Sequence, residues 1–387
     1  MPVNDLTASL KPYPMEQLNQ IRQKLASEQR EVFDFGTGDP KIPVWPPIQE
    51  ALIQSLSPIS QYPSIRATTD LQMSQDNYVK RTIKPLDDHW ITLPTRGSKE
   101  AIFHLALSVI GRNGKNTLAF PDPGYPVYRS SCLFAGGIPV AVPMHPKKAF
   151  APWDVPDLQQ GAAALWVNSP HNPTGSVLSK NNWIDIIQWC KDTKTLLLSD
   201  DCYTEIYQDT PPIHPLELTT RNIISVVSLS KRSGLTGYRA GMLVGDPDLL
   251  QPHTRARANF GLGQPQFIQA ASCAAWDDDK HVAERRQIFR TRMKTASAPF
   301  IKHGFLDSEP EATFYLWLKI PQGCDVAFCK KLATDSAIIA SPSSWFSAKT
   351  TGWIRLALVP DQNDIQRALP QLLRAFEENK IGYSSSS

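Results

Sequence analysis

The feature that most restricts how this chain can fold is an alternation. Short apolar runs at 90–93, 117–120, 164–167, 196–199, 223–229 and 240–244 are separated by longer amphipathic stretches. Ile102, Leu105, Ala106 and Val109 fall on one face of a helix over 101–110, and 183–190 gives a second apolar helical face. Short strands alternating with helices long enough to cross back over a sheet predict an α/β fold: a mainly parallel sheet with helices on both faces. From about residue 285 the pattern changes to a long polar helix running toward His303, strands at 313–319 and 353–358, and a closing helix near 363–378. A smaller α+β domain is expected there, giving a large domain over 46–285 and a small one made of 1–45 with 286–387. A chain of 387 residues has enough core for two such units. Its 33 prolines punctuate loops rather than forming a linker, and the Ser384–Ser387 run is low in complexity and expected to be disordered.

Charge and cysteine usage exclude several classes of function. The formal net charge is only +3, with Lys and Arg spread along the chain, so no basic stripe for nucleic acid is expected. The first ten residues lack the charged start and apolar stretch of a signal peptide, and no apolar run is long enough to span a bilayer, so a cytoplasmic protein without a membrane partner is expected. Cys132, Cys190, Cys202, Cys273, Cys324 and Cys329 form no Cys-x-x-Cys pair, and the eight histidines show no ligand spacing. Reduced thiols and no metal follow.

In an open parallel sheet, ligands bind beyond the carboxyl ends of the strands, and here those ends are chemically loaded. Thr95-Arg96-Gly97-Ser98-Lys99-Glu100 opens directly into a helix, an arrangement that suits an anion and also serves as an ordinary cap. After 117–120 comes a proline-rich turn carrying Tyr125 and Tyr128, which could stack on a flat ring or simply be structural. After 164–167 comes Asn172-Pro173-Thr174-Gly175, a tight turn by composition alone. Asp200 ends an interior strand, and a buried carboxylate there calls for a cationic partner such as a protonated ring nitrogen. Ser228, Ser230, Lys231 and Arg239 gather at the next strand end, where a phosphate and an aldehyde together would require two hydroxyls, an amine and a guanidinium.

Taken in order, Gly38 in Phe35-Gly36-Thr37-Gly38-Asp39-Pro40, Tyr62-Pro63, Gly97-Ser98-Lys99, Tyr125, the Asn172 turn, Asp200-Asp201-Cys202-Tyr203, Ser228-Leu229-Ser230-Lys231, Arg239 and Arg355 resemble the class I/II aminotransferases of pyridoxal-phosphate fold type I. The resemblance runs from about residue 33 to residue 358. It implies that Lys231 holds pyridoxal 5'-phosphate covalently and shuttles the proton, and that Asp200 keeps the pyridine nitrogen protonated. It also implies that Asn172 and Tyr203 donate to the ring's phenolic oxygen and that Tyr125 stacks on the ring. Gly97, Ser98, Lys99, Ser228, Ser230 and Arg239 would form the phosphate cup. Tyr62 would reach the phosphate of a neighbouring subunit, which makes a homodimer with shared active sites the expected assembly. Arg355, helped by the backbone at Gly38, would grip the α-carboxylate of amino-acid and 2-oxo-acid substrates. Ala67, Ser343 and Ser347 stand where the family often has glycine, so the loop 342–347 is expected to follow a path of its own.

Longer stretches around Phe33, Tyr62 and Tyr125 resemble succinyl-diaminopimelate aminotransferases of lysine biosynthesis, with 2-oxoglutarate and glutamate as the other pair. Arg66, Arg96, Arg129 and Lys41 are candidates for a distal anchor, each equally readable as a solvated surface residue. The alternatives are a broad aspartate, aromatic or kynurenine-type aminotransferase, and then a lyase or cyclopropane-forming synthase on the same fold. A ligand-sensing half of a transcriptional regulator has no room for a helix-turn-helix before Phe33.

Overall fold

The computed structural model describes residues 5–8, 14–57, 60–145 and 149–381; the terminal serine run lies outside them. The strands among the described residues are β1 Phe33–Asp34, β2 Ile91–Thr95, β3 Thr117–Asp122, β4 Ile138–His145, β5 Ala149–Phe150, β6 Ala164–Asn168, β7 Leu196–Asp200, β8 Ile223–Ser228, β9 Gly241–Gly245, β10 Tyr315–Lys319, β11 Ile338–Ile339, β12 Ser341–Pro342 and β13 Trp353–Ala357. Eight of them form one sheet in the order β2-β9-β8-β7-β6-β3-β4-β5. Strands β4, β3, β6, β7 and β8 pair in parallel, β9 runs antiparallel to both of its neighbours, and β5 is antiparallel to β4.

The two-residue period of these strands sorts their side chains into two separate cores. Ala164, Trp166, Leu196, Leu198, Ile224 and Val226 face the helices Ser98–Val109 and Pro126–Phe134. Leu165, Val167, Leu197, Ile223 and Val227 face the opposite side, against Trp183 and Ile186 of the helix Lys180–Asp192 and Trp276 of the helix Gln266–Asp277. Strands buried on both faces must be apolar throughout, which is why they read as continuous runs rather than as alternating ones.

A separate small sheet, β10-β13-β12, is antiparallel, and β1 pairs in parallel with β11. Its core joins Phe289, Met293 and Phe300 of the helix Lys280–Lys302 to Leu332 and to Leu369, Leu372 and Phe376 of the helix Gln362–Ile381. Cys202, Tyr203 and Ile206, just beyond β7, enter this same core.

Two local expectations change. The run 223–229 ends as a strand at Ser228, and Leu229 opens a short helix, Leu229–Arg232, so Lys231 sits on a helical turn rather than at a strand terminus. Strand β4 gave no signal because Pro139 and Pro143 interrupt it. It is bonded along one side to β3 and on the other only at Met144 and His145, a near-edge place where proline is tolerated.

Candidate active site

The strand register brings the loaded ends together. Asn168 lies opposite Asp200, Asp200 opposite Val226, and Thr95 and Ser228 both opposite Gly241, so the ends of β2, β6, β7 and β8 share one rim of the sheet. Between this rim and the small sheet is a cleft of about 470 Å³, lined by Gly38, Ser98, Lys99, Tyr125, Asn172, Asp200, Tyr203, Ser228, Ser230, Lys231, Arg239 and Arg355. Of the site residues read from the sequence, Gly97 is the N-cap beneath Ser98, while Tyr62 stands apart on the surface with its side chain fully exposed.

Each side chain is held by its own local structure. Ser228 caps the short helix by accepting from the Ser230 amide at 3.1 Å, which turns the Ser230 and Lys231 side chains into the cleft. The Lys231 ammonium bonds the Gly38 carbonyl, and burial pulls its pKa down to about 8. Gly97 adopts φ 84° and ψ 164°; a Cβ there would come within 2.7 Å of the Arg239 guanidinium, so backbone and arginine meet only because the residue is glycine. Gly38 is equally constrained, since a Cβ would collide with the Tyr315 hydroxyl.

Asp200 is buried and accepts from the Tyr128 hydroxyl at 2.6 Å. Burial pushes its carboxyl above the usual range, opposed by bonds from the Cys202 and Tyr128 side chains. Tyr128 is therefore not a ring-stacking residue for a ligand: its own ring stacks on Trp166 at 5.2 Å and its hydroxyl serves Asp200. The Asn168 amide group donates to the Asp200 carbonyl at 2.8 Å while its oxygen accepts from the Asn172 amide at 2.8 Å. This bends the Asn172 turn back into the cleft.

Across the cleft, Arg355 on β13 donates to Asn172 Oδ1 and to the Gly36 carbonyl, both at 2.9 Å. Its guanidinium lies 4.4 Å from the Tyr315 ring centroid and 4.6 Å from that of Phe346, and its buried Nε–H has no partner among the described residues. Tyr203 and Tyr315 share a hydroxyl contact of 2.8 Å. Tyr315, Asp39 and Phe346 line the cleft without having been singled out in the sequence. Tyr315 had no local signal, being one of several aromatics inside an apolar strand.

The loop 342–347 is pinned by its serines without left-handed backbone at those positions. Ser343 Oγ donates to Asp325 at 2.7 Å and accepts from the Trp353 amide at 3.3 Å, and Ser347 Oγ accepts from Lys349 and Thr350. Positive φ is absent at Ala67, Ser343 and Ser347. The four candidate distal anchors lie outside this cleft: Arg96 is held by the Gly263 carbonyl, while Arg66, Arg129 and Lys41 are exposed.

A phosphorylated pyridine aldehyde suits what is present. Asp200 is a buried carboxyl whose bonded partners are hydroxyl, thiol and amide, and a protonated ring nitrogen would supply its missing cation. Ser98 at a helix start, Ser228, Ser230 and Arg239 converge on a cradle that a Cβ at Gly97 would fill, which fits a phosphate. Lys231 supplies an amine depressed toward its free form.

The model of the class I and II aminotransferases matches residues 30–372. The chain is 31% identical over 377 residues to the LL-diaminopimelate aminotransferase of Aquifex aeolicus strain VF5, covering 94% of this chain and 97% of that protein. Among solved structures it resembles an aminotransferase from Neisseria meningitidis Z2491, with a TM-score of 0.88, 30% identity, and coverage of 97% of this chain and 100% of that one. An aminotransferase from Helicobacter pylori 26695 gives a TM-score of 0.85 at 29% identity, covering 95% and 99%. Strand-end chemistry, cleft and family model agree, and the chain belongs to the class I and II aminotransferases, pyridoxal-phosphate enzymes of fold type I.

Proposed function

We propose that this enzyme transfers an amino group from a diaminopimelate-class donor to a 2-oxo acid, with 2-oxoglutarate as acceptor and glutamate as product, in cytoplasmic lysine biosynthesis. The observation that carries the transaminase chemistry is the convergence of Lys231, Asp200 and Arg355 on one cleft. Bound pyridoxal phosphate supplies an electron sink for charge developing at the substrate Cα. Lys231 holds the cofactor and, at its Nζ, takes and returns the Cα proton; a pKa of about 8 supports this, because the basic form is accessible near neutral pH. Asp200 keeps a proton on the ring nitrogen, with Tyr128 fixing the carboxylate. Asn172 and Tyr203 serve the phenolic oxygen, Tyr125 covers the ring, and Gly97, Ser98, Lys99, Ser228, Ser230 and Arg239 hold the phosphate.

Arg355, next to the Gly38 backbone, orients the substrate α-carboxylate through a paired hydrogen bond. We take residues 46–285 as the cofactor-binding unit and 1–45 with 286–387 as the part that carries Arg355. A homodimer is part of the reading. Tyr62, Ile53, Leu56 and Met73 are exposed apolar side chains from neighbouring segments, a pattern that favours burial against a second copy, and Tyr62 would then complete that copy's phosphate site.

For the donor, the names of the relatives favour LL-diaminopimelate, whereas the stretches around Phe33, Tyr62 and Tyr125 favour its N-succinyl derivative. Both are long donors with a distal polar group, and Thr37, Leu18 and Trp345, which line the same cleft as Arg355, are where we place that group. Single-turnover half-reactions with LL-diaminopimelate, N-succinyl-diaminopimelate, glutamate, aspartate, phenylalanine and kynurenine separate the readings. Fast conversion of glutamate and one diaminopimelate form is expected. Preference for aspartate, phenylalanine or kynurenine over both diaminopimelate forms would overturn the donor assignment, and elimination without an oxo-acid acceptor would overturn transamination.

A further inference from the structure

The Tyr203–Tyr315 contact joins the Asp200 side of the cleft to the Arg355 side. Tyr203 follows the end of β7, on the cofactor side, and Tyr315 opens β10, in the small sheet beside Arg355. Their hydroxyls are 2.8 Å apart and both side chains are buried. Each hydroxyl carries one proton and two lone pairs, so only one can donate to the other. If Tyr203 donated to Tyr315, it would present lone pairs to the cleft. If Tyr315 donates, the proton of Tyr203 is left for an acceptor in the cleft.

The surroundings favour the second arrangement. Arg355 has donors only and its charge lies 4.4 Å from the Tyr315 ring centroid, which makes that hydroxyl the better donor. Burial raises both tyrosines above their usual range, so both keep their protons. The charged and titratable groups facing the pair are Arg355 from β13 and Asp200 and Cys202 at the end of β7.

We propose that Tyr315 is a positioning residue: its hydroxyl donates to Tyr203 and thereby orients the Tyr203 proton toward the cofactor's phenolic oxygen, while its ring fixes the plane of the carboxylate-binding Arg355. This rests on the assignment of the cofactor to Lys231 and of the α-carboxylate to Arg355.

The test is a pH titration of the visible absorbance of the holoenzyme in wild type, Tyr315→Phe, Tyr203→Phe and the double variant. Losing the support for Tyr203 should raise the Tyr315→Phe midpoint by roughly half to one pH unit, the scale of one net hydrogen bond. Tyr203→Phe should raise it further, and the double variant should match Tyr203→Phe, because Tyr315 acts on this midpoint only through Tyr203. A wild-type midpoint in Tyr315→Phe, or additive shifts in the double variant, would overturn the inference while leaving the cofactor assignment intact. A wild-type protein with no visible band that borohydride fixes onto Lys231 would overturn both.

The ring has its own readout. Tyr315→Phe keeps the stacked ring and should leave the KM for glutamate within about twofold of wild type, whereas Tyr315→Leu should raise it roughly tenfold. Equal KM values in the two variants would remove the role assigned to the ring.

Discussion

Burial shifts the pKa values of the two residues on which the proposed chemistry turns in opposite directions. It depresses Lys231 to about 8 and raises Asp200, so in each case it disfavours the charged form. In the proposed reading, a protonated ring nitrogen would restore charge to Asp200, and covalent attachment of the cofactor would remove the cost at Lys231. Lys231→Ala should therefore abolish turnover and leave no cofactor that borohydride fixes to the chain; a mass shift of the reduced mutant protein would remove the assignment. Arg355 is the proposed carboxylate anchor, buried between two rings with its Nε–H unpartnered among the described residues. Truncating one member of a buried charge pair costs on the order of 2–5 kcal/mol, so Arg355→Ala should slow single turnovers of glutamate, alanine and diaminopimelate alike. Loss confined to the long substrate would move Arg355 to the specificity pocket.

Helix starts and loop anchors set where those side chains point. The helix Ser98–Val109 begins from a glycine at φ 84°, a backbone that an L side chain resists by roughly 1–3 kcal/mol. Gly97→Ala should weaken cofactor retention about tenfold or more while leaving the sheet intact; equilibrium dialysis of the cofactor measures this, and wild-type retention would show that the cradle tolerates a Cβ. The loop after β12 is anchored differently. Asp325, buried at the start of the helix Asp325–Ser336, accepts from Ser343 Oγ and from the Ser344 amide at 2.8 Å. Ser343→Gly removes one of those donors from a buried carboxylate, and denaturant unfolding should show a loss of about 1–3 kcal/mol. Unchanged stability would mean that the serine merely replaces the glycine without consequence.

At the scale of the molecule, folding buries His171 and His253, and burial lowers both to about 4. Between pH 6.5 and 4 the unfolded chain binds a proton at each site and the folded chain does not, so stability is lost as pH falls through that window, by roughly 3 kcal/mol per histidine at the low end. His253→Gln should flatten the pH dependence of unfolding by about one proton near pH 5, and an unchanged slope would show that His253 is protonated in the native state. The same scale separates what the sequence determined alone from what only tertiary structure decided. Continuous apolar runs at strand spacing predicted a two-face sheet, because strand period is a local property, and the ordered set of residues at their ends carried the resemblance to the family and its cofactor. The antiparallel setting of β9, the service of Tyr128 to Asp200, the bond of Arg355 to Asn172 across 183 positions and the pairing of Tyr203 with Tyr315 across 112 were not legible. Those contacts depend on how separate elements pack against one another, and that packing leaves no periodic trace near either partner.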